Sequence, residues 1–459
     1  MENREKFGSR LGFILISAGC AIGLGNVYRF PIMTGAYGGA LFVLIYLAFL
    51  VLLGLPVMTC ELAVGRGSQR SIASSFDTLE RKGQKWHIWK YFGVAGNYLL
   101  MMFYTCVTSW FFVYFWKYLT GGIMQYKTSE ELGGVFVGMI TNPGLVIAVT
   151  VLVCALGFLV CGIGLQKGVE RITKVLMVAL FILMLGLAVY SLTLSGAGAG
   201  LKFYLVPSAA NIRQYGIWEV ISGAMGQAFF TLSLGIGSIA IFGSYIGKDR
   251  SLTGESITII ILDTFVALMS GFIIFPAFFT FNPGATGIAA DQAGAGFLFI
   301  TLSSIFNNMT VGRVVGTLFF IFMIFAAMST VIAVFENIIS FWLELTKVGR
   351  KKACIINFVL LAVLTLPAIL GMSVWDKVTI FGRSIDGIED YIVSNLMLPI
   401  GSLIYCVFCT SRFGWGWEQY ELEINSGKGL KLGRWVRPYM TYILPLIIIV
   451  VLVMQMIQL

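Results

Sequence analysis

Charge is what this sequence has least of. Asp, Glu, Lys and Arg make up 12% of its 459 residues, where a soluble domain carries about 25%. Long polar stretches are equally scarce. The longest are 67–87, 121–142, 194–215 and 412–438, and none leaves room for a separate water-soluble domain. The single histidine, His87, lies in a basic loop. No G-x-S-x-G or H-E-x-x-H pattern occurs, which removes the nucleophile-elbow hydrolases and the zinc peptidases. The one near-match to a phosphate loop, GSYIGKD at 243–249, has one residue too few between its glycines. It also has Asp249 where a serine or threonine must hold magnesium. No ATP-driven motor is therefore visible. Most of the eight cysteines sit in apolar segments, where a thiol behaves as a small hydrophobe. Cys406 and Cys409 form a lone C-x-x-C near a helix end, without the second pair that a metal site needs.

What the sequence has is apolar length. Residues with apolar side chains make up 58% of it, and windows of roughly 20 residues, each enough to cross a bilayer, recur throughout. Eleven are expected: 11–35, 40–65, 88–120, 143–162, 168–191, 217–246, 254–280, 313–345, 350–371, 390–411 and 438–457. The first is too long, and lacks the cleavage site, for a removable signal peptide. With the N-terminus placed in the cytoplasm, the internal loops hold 23 of the 31 lysines and arginines, as the positive-inside rule requires. The net charge of +9 is then a topology signal and not a nucleic-acid signal, and an odd number of spans leaves the C-terminus outside. A polytopic chain with no motor and no evident catalytic group reads as a secondary transporter and not an enzyme, with a channel as the next possibility.

Two spans contain residues that weaken helices. SAGCAIGLGNVYRFP, 17–31, carries Gly19, Gly23 and Gly25, then Asn26, Arg29 and Pro31. GQAFFTLSLGIGS, 226–238, carries Gln227, Thr231, Ser233, Gly235 and Gly237. Either glycine pair alone reads equally as close helix packing. Matching pairs in the first and sixth spans instead fit two inverted five-helix repeats, 11–191 and 217–411, with an additional helix at 438–457. Unwinding at such a point frees carbonyls for a cation. It also turns half-helix N-termini toward an anion, and glycine lets the ligand approach the backbone itself.

RLGFILISAGCAIGLGNVYRFP and GQAFFTLSLGIGS resemble the first and sixth helices of the neurotransmitter:sodium symporters. The likeness is to the bacterial, eleven-span, leucine/tyrosine-transporter-like amino-acid members. Weaker similarity runs through GLPVMTCELAVGR, GIGLQKGVERITK, SGFIIFPAFF and FAAMSTVIAVFENI, so it covers nearly the whole chain. The resemblance implies an all-α integral membrane fold of inverted repeats, with helices 1 and 6 unwound. It implies sodium-coupled import of an α-amino acid by alternating access in a bacterial inner membrane. Its partners are a small amino-acid substrate and the lipid bilayer, with no nucleic acid.

The resemblance also implies residue roles. A first sodium site uses Ala21, Asn26, Thr231 and Asp263, the last standing where relatives usually have asparagine. A second uses Gly19, Ile22, Ala326, Ser329 and Thr330; Ser329 and Thr330 alone read equally as helix back-bonding. The amino-acid carboxylate is expected at the Tyr104 hydroxyl and the N–H groups near Gly23 and Gly25, and the ammonium at carbonyls near Phe230 and Thr231. The side-chain pocket is expected from Cys20, Leu100, Val107, Phe230, Ser233, Ile236, Thr330 and Val334. Arg29 and Asp390 resemble an external gate under which Phe230 acts as lid. Arg4, Phe7, Ser244, Tyr245 and Glu344 resemble an internal one. Glu61, Gln227 and Glu336 are expected as paired structural groups.

Departures from the family pattern matter. Val178 stands where many relatives have a proline ten residues after the glycine that matches Gly168. Ala267 stands where chloride-dependent animal members have a serine, and Asp263 lies one turn earlier on the same face. Transport is therefore expected without chloride. Gly23 stands where monoamine carriers have an aspartate, which favours an α-amino acid over a monoamine. The near absence of charge in the pocket favours a hydrophobic or aromatic side chain. The rival expectations are an amine or osmolyte symporter, and a nutrient sensor or channel that keeps the fold.

Overall fold

The computed structural model describes residues 8–208, 216–285, 287–288 and 296–457. Among them the regular elements are all helices, with only two isolated bridges between extended residues. Within a bilayer no water pairs with the backbone, so a helix, which satisfies its own N–H and C=O groups, is the form these apolar runs take.

Among the described residues nine helices are long and apolar enough to cross a membrane: Ala40–Ser68, Trp86–Thr120, Pro143–Ile163, Leu165–Leu192, Leu252–Phe281, Gly312–Thr346, Arg350–Gly371, Ile385–Thr410 and Val436–Met456. They match the expected second to fifth and seventh to eleventh spans. The first is a pair, Arg10–Ala21 and Gly25–Ala36, bent by 52°. The sixth is more interrupted still: helix Ile217–Thr231, a turn over 232–239, then Ala240–Gly243. Its helical pieces, 15 and 4 residues long, are each too short to span alone. Among the described residues, ten of the eleven expected segments are thus long and apolar enough to cross, one of them as a bent pair, and the sixth is two short helices joined by a turn.

Burial separates the centre from the rim. In the eighth span, Gly312–Thr346, 83% of the most apolar window is buried, against 28% in the last, Val436–Met456. The eighth span packs against the third, fourth and fifth spans and against the first half of the first. It presents Ser329 and Thr330 to the break in the first span. Apolar residues such as Leu159, Ile182, Val189 and Ile355 stay exposed on the outer faces, where lipid replaces water as their solvent.

The breaks follow from local chemistry. In the first span Ile22 leaves the helical region at φ −68°, ψ 99°. The chain re-enters through a wide turn over Gly25–Arg29, and Pro31 occupies the first turn of the next helix, where its missing N–H costs nothing. In the sixth span Gly235 and Gly237 have φ of +99° and +76°, values that an L side chain resists. A Cβ on Gly235 would also lie 2.2 Å from the Leu398 carbonyl oxygen. Outside the spans, Ser129–Ile140 begins with a capping box. There the backbone N–H groups of Thr128 and Lys127 hold the Glu131 carboxyl below its usual range.

Candidate functional site

The two breaks face each other. Gln227 Nε2 donates to the Gly25 carbonyl at 2.7 Å, Ser233 Oγ to the Cys20 carbonyl at 3.4 Å, and Cys20 Sγ to the Ser238 carbonyl at 3.9 Å. Between them lies a cavity lined by Ala21, Gly23, Leu24, Gly25, Leu100, Tyr104, Phe230, Ser233, Thr330 and Leu398. Its water-sized free space is ≈ 10 Å³, about the minimum for one water. The Phe230 ring, part of this lining, also meets a cation. The Arg29 guanidinium lies 4.5 Å from the Phe230 ring centroid and 3.6 Å from Asp390 Oδ1. Asp390 also accepts from Ser394 Oγ at 2.6 Å. The guanidinium thus lies between an aromatic face and a carboxylate.

Eight of the expected pocket residues line this cavity: Ala21, Gly23, Gly25, Leu100, Tyr104, Phe230, Ser233 and Thr330. Five others are placed differently. Cys20 ties one break to the other, as above. Thr231 turns to Asp263, with Oγ1 donating to Oδ2 at 3.2 Å. Ile236 packs on the third span, where its Cγ2 lies 2.6 Å from the position of a Cβ on Gly96, and its carbonyl accepts from Asn97 Nδ2 at 2.8 Å. Val334 is buried and Val107 half-buried, both outside the lining. Leu24 and Leu398 line the cavity and were not anticipated. Leu24 had a signal, since it stands between Gly23 and Gly25. Leu398, in the tenth span beside Pro399, had none.

Polar groups converge on the first-span break from two sides. On one side, Asn26 Oδ1 accepts from the Gly23 N–H at 3.1 Å, while Nδ2 donates to the carbonyl of Asp263 at 2.9 Å and to its Oδ1 at 2.8 Å. With Thr231 on Oδ2, this brings together Asn26, Thr231 and Asp263, all fully buried. Ser270 Oγ adds a bond to the Asn26 carbonyl at 3.0 Å. On the other side, Ser329 Oγ donates to the Ile22 carbonyl at 3.1 Å and the Ala326 carbonyl at 2.8 Å. Thr330 Oγ1 lies 3.3 Å from each of the Gly19, Cys20 and Ile22 carbonyls. Of the residues expected for the first cation site, Asn26, Thr231 and Asp263 thus form a cluster with a carboxylate, while Ala21 lines the cavity; Gly19, Ile22, Ala326, Ser329 and Thr330 form a neutral cluster. The carboxylate, hydroxyl and carbonyl oxygens in these clusters are the ligand type that hard cations favour. The Tyr104 hydroxyl accepts from the Leu24 N–H at 3.0 Å, joining the third span to the same break.

The sixth-span break is held by Glu61. Its carboxylate accepts from the Gly235 N–H and, at 3.3 Å, from the Ile239 N–H. Gln227 and Glu336 are also paired. Glu336 meets Arg350 through both carboxylate oxygens, at 2.7 and 2.9 Å, and accepts from Tyr245 at 3.1 Å. Of the expected internal gate, Arg4 and Phe7 lie outside the described residues. Tyr245 also meets Ser340 Oγ at 2.9 Å, and Ser244 Oγ donates to the Ile241 carbonyl at 2.5 Å. Glu344 accepts from the Ser71 N–H at 2.8 Å and the Ser71 hydroxyl at 2.9 Å. In the fifth span Gly168 lies in a wide turn over Leu165–Glu170, and Val178 sits in the continuous helix Arg171–Leu192, facing outward.

Comparison with known proteins meets this geometry from outside. The sequence model of the sodium:neurotransmitter symporter family matches residues 4–132 and 126–459. A sodium-dependent transporter of Bacillus subtilis, YhdH, is 31% identical over 446 residues, covering 97% of this chain and 96% of the relative. One from Haemophilus influenzae is 29% identical over 98% of each chain. The sodium- and chloride-dependent taurine transporter of Bos taurus is 24% identical, over 97% of this chain and 77% of its own length. The crystal structure of MhsT in complex with L-phenylalanine superposes with a TM-score of 0.87 at 35% identity, covering 99% of this chain and 100% of that one.

Proposed function

Because this chain belongs to the sodium:neurotransmitter symporter family, a family of membrane transporters and not of enzymes, we propose that it imports a hydrophobic or aromatic α-amino acid. Two sodium ions drive the import, without chloride. The observation that carries the reading is the apolar cavity between the two breaks, closed by Phe230 and flanked by two oxygen clusters. Its lining offers hydroxyl and backbone groups for the substrate's charged ends, and the uncharged Ala21, Leu24, Leu100, Phe230 and Leu398 for its side chain. A charged side chain buried there without a partner costs several kcal/mol. L-Phenylalanine, the ligand in the MhsT structure, has the chemistry this lining favours.

In the mechanism, the Gly19 and Ile22 carbonyls with Ala326, Ser329 and Thr330 hold one sodium. Ala21, Asn26, Thr231 and Asp263 hold the other, next to the substrate carboxylate. Each sodium moving down a potential of about 100 mV contributes roughly 2.3 kcal/mol. Asp263 supplies fixed negative charge beside that ion, and Ala267 one turn later has no hydroxyl to donate to an anion. Arg29, Asp390 and Phe230 close the outer side once the substrate is seated. The chain sits in a bacterial inner membrane, with its basic loops and N-terminus in the cytoplasm and its C-terminus outside.

The taurine transporter among the relatives favours a second reading, an amino-sulfonate or other osmolyte as cargo. Counterflow in proteoliposomes against the twenty amino acids, taurine and betaine separates the two. Exchange of leucine, methionine, phenylalanine, tyrosine or tryptophan supports the first reading. Exchange of taurine or betaine alone overturns it, and saturable binding with no exchange points to a sensor.

A further inference from the structure

The chain's single histidine lies outside the cavity lining, where the loop after the second span meets the start of the third. That loop is a short helix, Ile72–Leu79, followed by a tight turn, Trp86–Ile88. Asp77 and Glu80 stand three residues apart at the end of the helix, hence on one face. Glu80 reaches across to the turn. Its Oε2 accepts from the His87 N–H at 3.1 Å, and its Oε1 lies 2.6 Å from His87 Nδ1. One ligand atom each from Asp77, Glu80 and His87 lies within 4.8 Å of the others. The Asp77 and His87 side chains are 39% and 38% exposed, so solvent reaches the cluster.

These distances suit a small divalent ion. Tetrahedral bonds of about 2.0–2.1 Å place neighbouring ligand atoms about 3.4 Å apart. The His87–Glu80 pair would have to open slightly and Asp77 to close. One imidazole with two carboxylates suits zinc and its congeners, whereas magnesium and calcium favour oxygen alone. The cluster already draws a cation: Lys90 Nζ lies 3.1 Å from Asp77 Oδ2.

We propose that Asp77, Glu80 and His87 form a binding site for a zinc-class divalent metal, with water in the fourth position and the Lys90 ammonium as its built-in competitor. On binding, the metal replaces the ammonium on Asp77 and any proton shared by His87 and Glu80. It then ties the end of the 72–79 helix to the start of the third span. The same helix begins beside Ser71, which is bonded to Glu344 near the end of the eighth span. The metal therefore adds a tie to the third span in a loop that Ser71 already ties to the eighth.

The test uses the full chain, with any affinity tag removed and metals stripped, titrated with zinc chloride by calorimetry and by competition with a chromogenic chelator. One saturable site is expected. His87→Gln, which keeps a hydrogen-bonding side chain against Glu80, weakens it at least about tenfold. Lys90→Met, which removes the competing cation, tightens it severalfold. Zinc bound equally by wild type and His87→Gln, or weakened by Lys90→Met, overturns the proposal, as does the absence of a saturable site.

Discussion

The break in the first span and the break in the sixth begin from similar residues, a G-x-G after small side chains, and end as different objects. In the first, carbonyls are what is set free. Those of Gly19, Cys20 and Ile22 meet the hydroxyls of Ser329 and Thr330, and Asn26 just beyond meets Asp263. In the sixth, N–H groups are set free, and the protein satisfies two of them itself: Glu61 accepts from Gly235 and Ile239. The glycines of the sixth break carry positive φ. Gly23 and Gly25 of the first do not; they are crowded instead, and a Cβ on Gly23 would lie 2.3 Å from Thr330 Oγ1 and 2.4 Å from Tyr104 Oη. Unwinding a helix thus yields two kinds of product. One is a set of carbonyl acceptors met by the hydroxyls of a neighbouring span, the other a turn fixed by an internal carboxylate.

That contrast can be broken most severely at Gly23. Gly23→Asp puts a carboxylate into the crowded space between Tyr104 and Thr330, and amino-acid uptake should be abolished; unimpaired uptake would show that the space is not the substrate's. Asp263→Asn is next. Removing the only carboxylate among the oxygen clusters should cut transport in chloride-free buffer by about tenfold or more. With Ala267→Ser added, chloride should restore part of it, whereas wild-type uptake should be indifferent to replacing chloride by gluconate. Asn26→Ala removes a group that touches both the break and Asp263. Sodium and substrate affinities should fall together, each roughly tenfold, because linkage is reciprocal; paired binding titrations read this directly.

Glu61→Gln tests the other side of the comparison. It keeps one acceptor oxygen but removes the charge that holds the sixth break. Hydrogen bonds to charged groups contribute about 1.5–3 kcal/mol, so the detergent melting temperature should fall while sodium affinity changes little. The smallest effect is expected from Ser329→Ala, a few-fold loss of sodium affinity with the cavity unchanged, since the Gly19 and Ile22 carbonyls and Thr330 remain.

Both breaks were legible because glycine is a local signal, and the spans because apolar length is a local signal too. The partners were less so. Glu61 was readable as a paired group, but its partners are backbone N–H groups, which every residue except proline carries and no letter marks. Leu398 reaches the cavity from far along the chain, through close contact between its carbonyl and Gly235. Ile236 was placed in the pocket by resemblance, yet it packs against Gly96. The eleven-segment pattern also hid how unequal the broken spans are. Apolar content is the same on either side of a turn, so hydropathy alone does not reveal that 232–239 leaves the helix altogether.

The most direct test of sodium-coupled uptake is made in potassium-loaded proteoliposomes, with sodium or choline outside and a labelled amino acid from the counterflow panel. Two cation sites sharing one substrate predict accumulation only with sodium, with a sigmoidal dependence on its concentration. Equal accumulation in choline would contradict the assignment of the Asn26–Asp263 and Ser329–Thr330 clusters to driving ions.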